Sequence, residues 1–175
     1  MNSFRLSLLV GVLLVCLFPG CASRPDEQIK LAQDAMNQAI EQYADQYAPS
    51  EWNGAKELWD QGQAQLAKEQ FASAGESFLR AKARFLKATE VAKAERESMH
   101  QQVMDILANL DTRYAAFKSG PAAAAKKDFQ AATQDIDKRI ADVKSLMEQG
   151  DYIQAKTLGQ QALQAIDYNE KKLKK

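Results

Sequence analysis

An all-α fold of about five helices in antiparallel hairpins follows from three observations. Ala, Gln, Lys, Glu and Leu dominate the 175 residues, a composition that favours helix and disfavours strand. Apolar residues recur with alternating spacings of three and four, the period of one helical face. Gly (8) and Pro (4) are few, and several of them fall between the periodic stretches, where they end one helix and open the next. The hairpins are expected to be elongated and to share one long central helix.

The first element is expected from Pro25, which suits a first helical turn, to a break at Ala48-Pro49, with Ile29, Met36, Ile40, Tyr43 and Tyr47 on one face. The second opens at Pro49-Ser50-Glu51, carries Trp52, Ala55, Trp59, Gly62 and Leu66, and stops near Gln70. Phe71, Ala74, Phe78, Ala81, Phe85, Ala88 and Ala92 then resume the alternation. It continues past Glu95-Arg96-Glu97 as Met99, Val103, Ile106, Leu110, Tyr114 and Phe117. No Gly or Pro interrupts between Glu76 and Ser119, so one helix of about 45 residues, roughly 70 Å, is expected, with a bend expected near residues 93–98 if anywhere. Gly120-Pro121 ends it. The fourth helix starts at Pro121 and shows Phe129, Ala132, Ile136, Ile140, Val143 and Met147 before Gly150-Asp151, which stops it and caps the next. The fifth carries Tyr152, Ala155, Gly159, Ala162, Ile166 and Leu173.

Ahead of these helices stand residues 1–20: a charged start with Arg5, an apolar run from Leu6 to Phe18, then Pro19-Gly20 before Cys21. This is the layout of a secretory signal peptide, and thirteen helical residues would cover only about 20 Å, short of the ~30 Å hydrocarbon core. The residues FPGC at positions 18–21 resemble the lipobox of bacterial lipoproteins, in which a small residue precedes a cysteine that becomes the lipidated N-terminus. Gly20 and Cys21 match, whereas Phe18 departs from the aliphatic residue usual there. Cys16, preceded by Val15, does not fit. The resemblance implies a thioether-linked diacylglycerol on Cys21. Two or more acyl chains hold a protein on a membrane where one gives only marginal binding. Ala22 and Ser23 are not an Asp-type retention signal, which implies the outer membrane with the body in the periplasm. The domain organisation expected is a signal peptide (1–20), a lipidated N-terminus and linker (21–28), a hairpin domain with the long helix (29–118) and a C-terminal hairpin (119–175).

Two helix junctions are alike. Setting Phe71 on Tyr152 brings Ala74 onto Ala155, Ala81 onto Ala162 and Phe85 onto Ile166, a spacing of 81 residues. An aromatic followed by small residues at three and ten resembles the second helix of a tetratricopeptide repeat, here half a unit twice rather than a 34-residue array. Residues 29–95, through Ala48, Pro49 and Glu51 with Ala55, Ala74, Ala81 and Ala88, resemble an Ala-rich helical domain of unknown function found in proteobacterial envelope lipoproteins.

Chemistry is sparse. The single histidine, His100, makes neither a metal site nor a catalytic pair. Asp135 with Asp137, and Glu95 with Glu97, lie two apart and point to different sides of a helix. No phosphate loop or EF-hand loop is present. Lys and Arg balance Asp and Glu at 23 each, interleaved, which argues against nucleic acid. No catalytic residue, cofactor or metal is expected. Trp52 and Trp59, one heptad apart, are expected in the helix seam; an exposed one would be a partner anchor. The expectation is a membrane-anchored, non-catalytic scaffold, spacer or adaptor for an envelope protein, with oligomers open because a stripe does not say whose helix it faces. One alternative is attachment to peptidoglycan: the C-terminal Lys175 resembles the cell-wall-linked lysine of the small murein lipoprotein. Another is a carrier of lipid or hydrophobic ligand, which a large apolar cavity would favour.

Overall fold

The computed structural model describes residues 23–120 and 126–173, and every described element is an α-helix. In chain order these are α1 (Asp26–Glu41), α2 (Ala44–Tyr47), α3 (Pro49–Ala67), α4 (Phe71–Ser119), α5 (Lys126–Glu148) and α6 (Tyr152–Leu173). The all-α class is as the composition indicated.

The first expected helix is two. α1 ends at Glu41, where Gln42 and Tyr43 donate their N–H groups to the Ala39 and Ile40 carbonyls and Tyr43 turns left-handed at φ 56°. The buried face also differs from the expected one. Ala32, Ala35 and Ala39 are buried, whereas Ile40 and Tyr43 are 53% and 47% exposed. Small residues let α1 lie close to its neighbours, and Ile40 and Tyr43 are displaced to the flank, while Ile29 packs on the core and Tyr47 is buried. α4 runs 49 residues without interruption at 93–98. The linker expected at 21–28 is shorter than that, because Pro25 is already buried and α1 begins at Asp26. Of the expected fourth helix, residues 121–125 lie outside the described residues.

Packing divides the chain within α4, between Thr89 and Glu90, whereas the sequence pattern suggested a seam near Ser119. The first unit comprises the chain up to Asp45 and Pro49–Thr89. Here α1 and the first part of α4 run the same way, with Pro25 beside Gly75 and Ala32 clustered with Ala74 and Phe78. α3 runs opposite, with Gly62 against Phe78 and Trp52 against Phe85. Gly62 is there for proximity: a Cβ on it would lie 2.9 Å from the Phe78 ring.

The second unit comprises Gln46–Ala48 and the chain from Glu90 onward. Its core joins Leu110, Tyr114 and Phe117 of α4 to Ala132, Ile136 and Ile140 of α5 and to Ala162 and Ile166 of α6. α5 opposes α4: Tyr114 Oη donates to the Thr133 carbonyl at 3.1 Å, and Val103, earlier in α4, clusters with Val143, later in α5. α6 runs with α4, fixed by Arg113 paired with Asp167 and by Lys156 donating to Gln102 at 2.6 Å.

Both units are therefore three helices in the same order and directions, and their hairpin turns coincide bond for bond. Glu69 N–H reaches the Leu66 carbonyl and Gln70 N–H the Gln65 carbonyl; 81 residues on, Gly150 reaches Met147 and Asp151 reaches Leu146. This is the Schellman closure, with the left-handed position held by Glu69 (φ 57°) in one turn and Gly150 (φ 77°) in the other. The residues that the 81-residue alignment pairs, Ala74 with Ala155, Ala81 with Ala162 and Phe85 with Ile166, are all fully buried.

Candidate functional site

The aromatic residues of α3 face the seam. Trp52 lies with its ring 5.3 Å from Phe85, and Trp59 meets Phe78 edge-on at 5.1 Å. Each is half-buried, so both belong to the packing of the first unit and leave only part of a ring to solvent. Of the Phe71, Phe78 and Phe85 stripe, the latter two are fully buried. Phe71, at the start of α4, is half-exposed.

Phe71 marks the open end of the first unit. One groove of about 420 Å³ is lined by Ser23, Arg24, Pro25, Gln28, Gly75 and Leu79 together with Phe71. A second, of about 380 Å³, is lined by Arg24, Gln63, Leu66, Glu69 and Phe71. Arg24 and Phe71 thus stand in both. Leu79 is 46% exposed. The floor of the first groove is kept low by Gly75, where a Cβ would come 3.3 Å from Pro25. Arg24 is held at the rim by Asp26 at 3.0 Å. The sequence reading missed this site because Leu79 lies off the 3-4 stripe, and an off-stripe leucine next to the stripe was the one available signal.

At the corresponding end of the second unit Tyr47 packs beside the half-buried Tyr152. Tyr47 is 8% exposed, and its hydroxyl is met by the Tyr152 backbone at the start of α6. Burial pushes the Tyr47 phenol above its ordinary value, against the opposing pull of that backbone contact and of the Arg96 charge. Arg96 lies 5.6 Å from the centre of the Tyr152 ring, and His100 packs on the same ring at 5.1 Å. His100 also sits 3.9 Å from Glu97, a pair near the surface.

The carboxylates have separate duties. Asp135 is engaged by Arg139 at 2.7 Å, which raises the guanidinium pKa. Asp137 faces the Tyr114 hydroxyl, and burial together with that carboxylate holds Tyr114 well above the ordinary phenol value. Among the described residues no three His, Cys, Asp or Glu side chains converge as metal ligands, and no helix is long and apolar enough to cross a membrane. Cys21 and Lys175 lie outside the described residues. Comparison with family models, with curated proteins and with solved structures gives no match.

Proposed function

We propose that the chain is an envelope lipoprotein, anchored through diacylglycerol on Cys21 to the periplasmic face of the outer membrane, whose helical body is a non-catalytic scaffold or adaptor. The observation that carries the reading is the juxtaposition of Gly20-Cys21, at the end of an apolar leader, with a folded body that begins at once: Pro25 is buried and α1 starts at Asp26. A lipid there fixes a packed helical unit to the membrane through two or three residues. The interior of both hairpins supports a structural role over ligand carriage, since Gly62 and Gly159 leave no room for a methyl group against Phe78 and Ile106. The helix faces then serve as the partner surface.

Labelling cells with a palmitate analogue, followed by mass analysis of the N-terminal peptide, tests the anchor. Wild type is expected to carry diacylglycerol on Cys21 and to fractionate with outer membrane, and Cys21→Ser to lose both. Unlabelled wild type in the soluble fraction would overturn the reading. In-cell crosslinking, with muramidase release of cell-wall material, then identifies the partner.

A further inference from the structure

The two hairpin ends are built on the same turn and leave the equivalent residues Phe71 and Tyr152 both half-buried, but their neighbours differ. In the second unit Tyr47 and Arg96 close over Tyr152. In the first, the residue equivalent to Tyr152 is Phe71, and no described residue plays the part of Tyr47; two grooves flank the ring instead.

The chain supplies a reason. Cys21 is two residues from Ser23, which itself lines the larger groove. Two residues span at most about 7 Å. The polar layer of one leaflet is about 5–8 Å deep, half the difference between the ~30 Å hydrocarbon core and the full bilayer. With an acylated sulfur at the bottom of that layer, Ser23 and Arg24 lie within it or at its edge. The grooves that Ser23 and Arg24 line then stand at headgroup level. Their lining fits that setting: Leu66, Phe71 and Leu79 are apolar and partly exposed, while Arg24 is a cation on a long apolar stem. We propose that the α3–α4 end of the first unit is a phospholipid-contacting surface, with lipid of the anchoring bilayer in the grooves on either side of Phe71 and Arg24 at phosphate level. The inference rests on acylation of Cys21.

The test uses full-length acylated protein reconstituted in phosphatidylethanolamine–phosphatidylglycerol vesicles. The acylated Cys21 does not react with maleimides, so a single new cysteine can carry an environment-sensitive fluorophore. Labels at Ala67→Cys and Ala72→Cys, both exposed and beside the grooves, are compared with Ser50→Cys at the far end of α3. Phospholipids brominated near the headgroup are expected to quench the first two at least twofold and to leave Ser50→Cys unchanged. Adding Leu79→Glu, an exposed site, is expected to halve the quenching at Ala72→Cys. Equal quenching at all three positions, or none at positions 67 and 72, in protein whose mass shows diacylated Cys21 would overturn the inference, as would indifference to Leu79→Glu. A mass without diacylglycerol would bring down the lipoprotein reading, and this surface with it.

Discussion

Replacing Gly62 by alanine adds one methyl group where α3 crosses α4, and the structure sets its cost. The new Cβ would stand 2.9, 3.0 and 3.1 Å from three atoms of the Phe78 ring. That ring is fully buried and also held by Trp59, on the same helix as Gly62, at 5.1 Å, so it cannot swing aside as a surface side chain would. Overpacking of this kind costs about 1–3 kcal/mol. Removing a mid-helix glycine returns about 1 kcal/mol of helix propensity. The expected net loss is about 1 kcal/mol, which at an m-value of about 2 kcal/mol/M lowers the urea midpoint by about 0.5 M. The protein contains two tryptophans, Trp52 and Trp59, both in the first unit, so tryptophan fluorescence follows that unit alone while far-UV circular dichroism follows both. The fluorescence midpoint should fall, and Phe78→Leu in the same chain should recover part of the loss through coupling of about 0.5–1 kcal/mol. A midpoint that rises in Gly62→Ala, or a double variant that shows no coupling, would refute the argument that the seam is closed by contact between Gly62 and Phe78.

The turns respond in opposite senses. Gly150→Ala places a side chain at φ 77° and 2.8 Å from Arg96, and is expected to lower by about 1–2 kcal/mol the part of the circular-dichroism transition that tryptophan does not follow. Glu69→Gly relieves a left-handed non-glycine at φ 57° and should raise the stability that fluorescence follows by about 0.5 kcal/mol, the relief exceeding the added chain entropy. The Tyr114 phenol is raised in the folded state by burial and by Asp137, so its contribution is present in full below the unfolded value of 10.0 and fades as pH rises above it. Urea midpoints taken from pH 8 to 11 should therefore fall more steeply in wild type than in Tyr114→Phe, which at pH 8 should itself be about 1 kcal/mol less stable for its missing hydrogen bond. Trp52→Ala should cost about 2 kcal/mol, roughly half the loss for a fully buried aromatic; an unchanged midpoint would return Trp52 to the role of partner anchor.

What the sequence disclosed was decided by side-chain size and period. The large-residue stripes of α4, α5 and α6 supply the core, because Phe78, Phe85, Leu110, Ile136 and Ile166 dominate both the pattern and the interior, whereas on α3 the buried positions are the small Ala55 and Gly62 between half-buried tryptophans. α1 deceived for the converse reason. Its buried seam is Ala32, Ala35 and Ala39, which carry little weight in the pattern beside Ile40 and Tyr43, and of the expected face only Ile29, Met36 and Tyr47 are wholly or partly covered. The Ala39–Tyr43 turn went unseen because no Gly or Pro marks it, and Glu69 occupies a left-handed position that a glycine would have announced. Of the grooves at Phe71 the pattern carries one trace, the off-stripe Leu79. They are assembled from the residues before α1, the end of α3 and the off-stripe side of α4, and no single period links those three.

The duplicated hairpins solve one packing problem with different residues. At the crossing, Gly62 and Phe78 of the first unit correspond, 81 residues on, to Val143 and Gly159 of the second. In the first, α4 supplies the large side chain, α3 the glycine and α1 the small Ala32. In the second the glycine is on α6, Val143 stands 3.9 Å from a Cβ built there, and the third helix inserts Ile106, whose Cγ2 would be 2.5 Å from that Cβ. Each crossing thus has one glycine and one intruding side chain, but the intruder comes from a different helix. It follows that residues cannot be copied singly between the hairpins: Gly159→Phe meets Ile106, and Gly62→Val meets Phe78. Gly159→Phe with Ile106→Ala removes the nearest obstacle to the new ring, although Val143 still stands where the first unit has Gly62, and should unfold at higher urea than Gly159→Phe alone when followed by circular dichroism. Equal stability of the single and double variants would mean that the third helix does not determine which residue must be small.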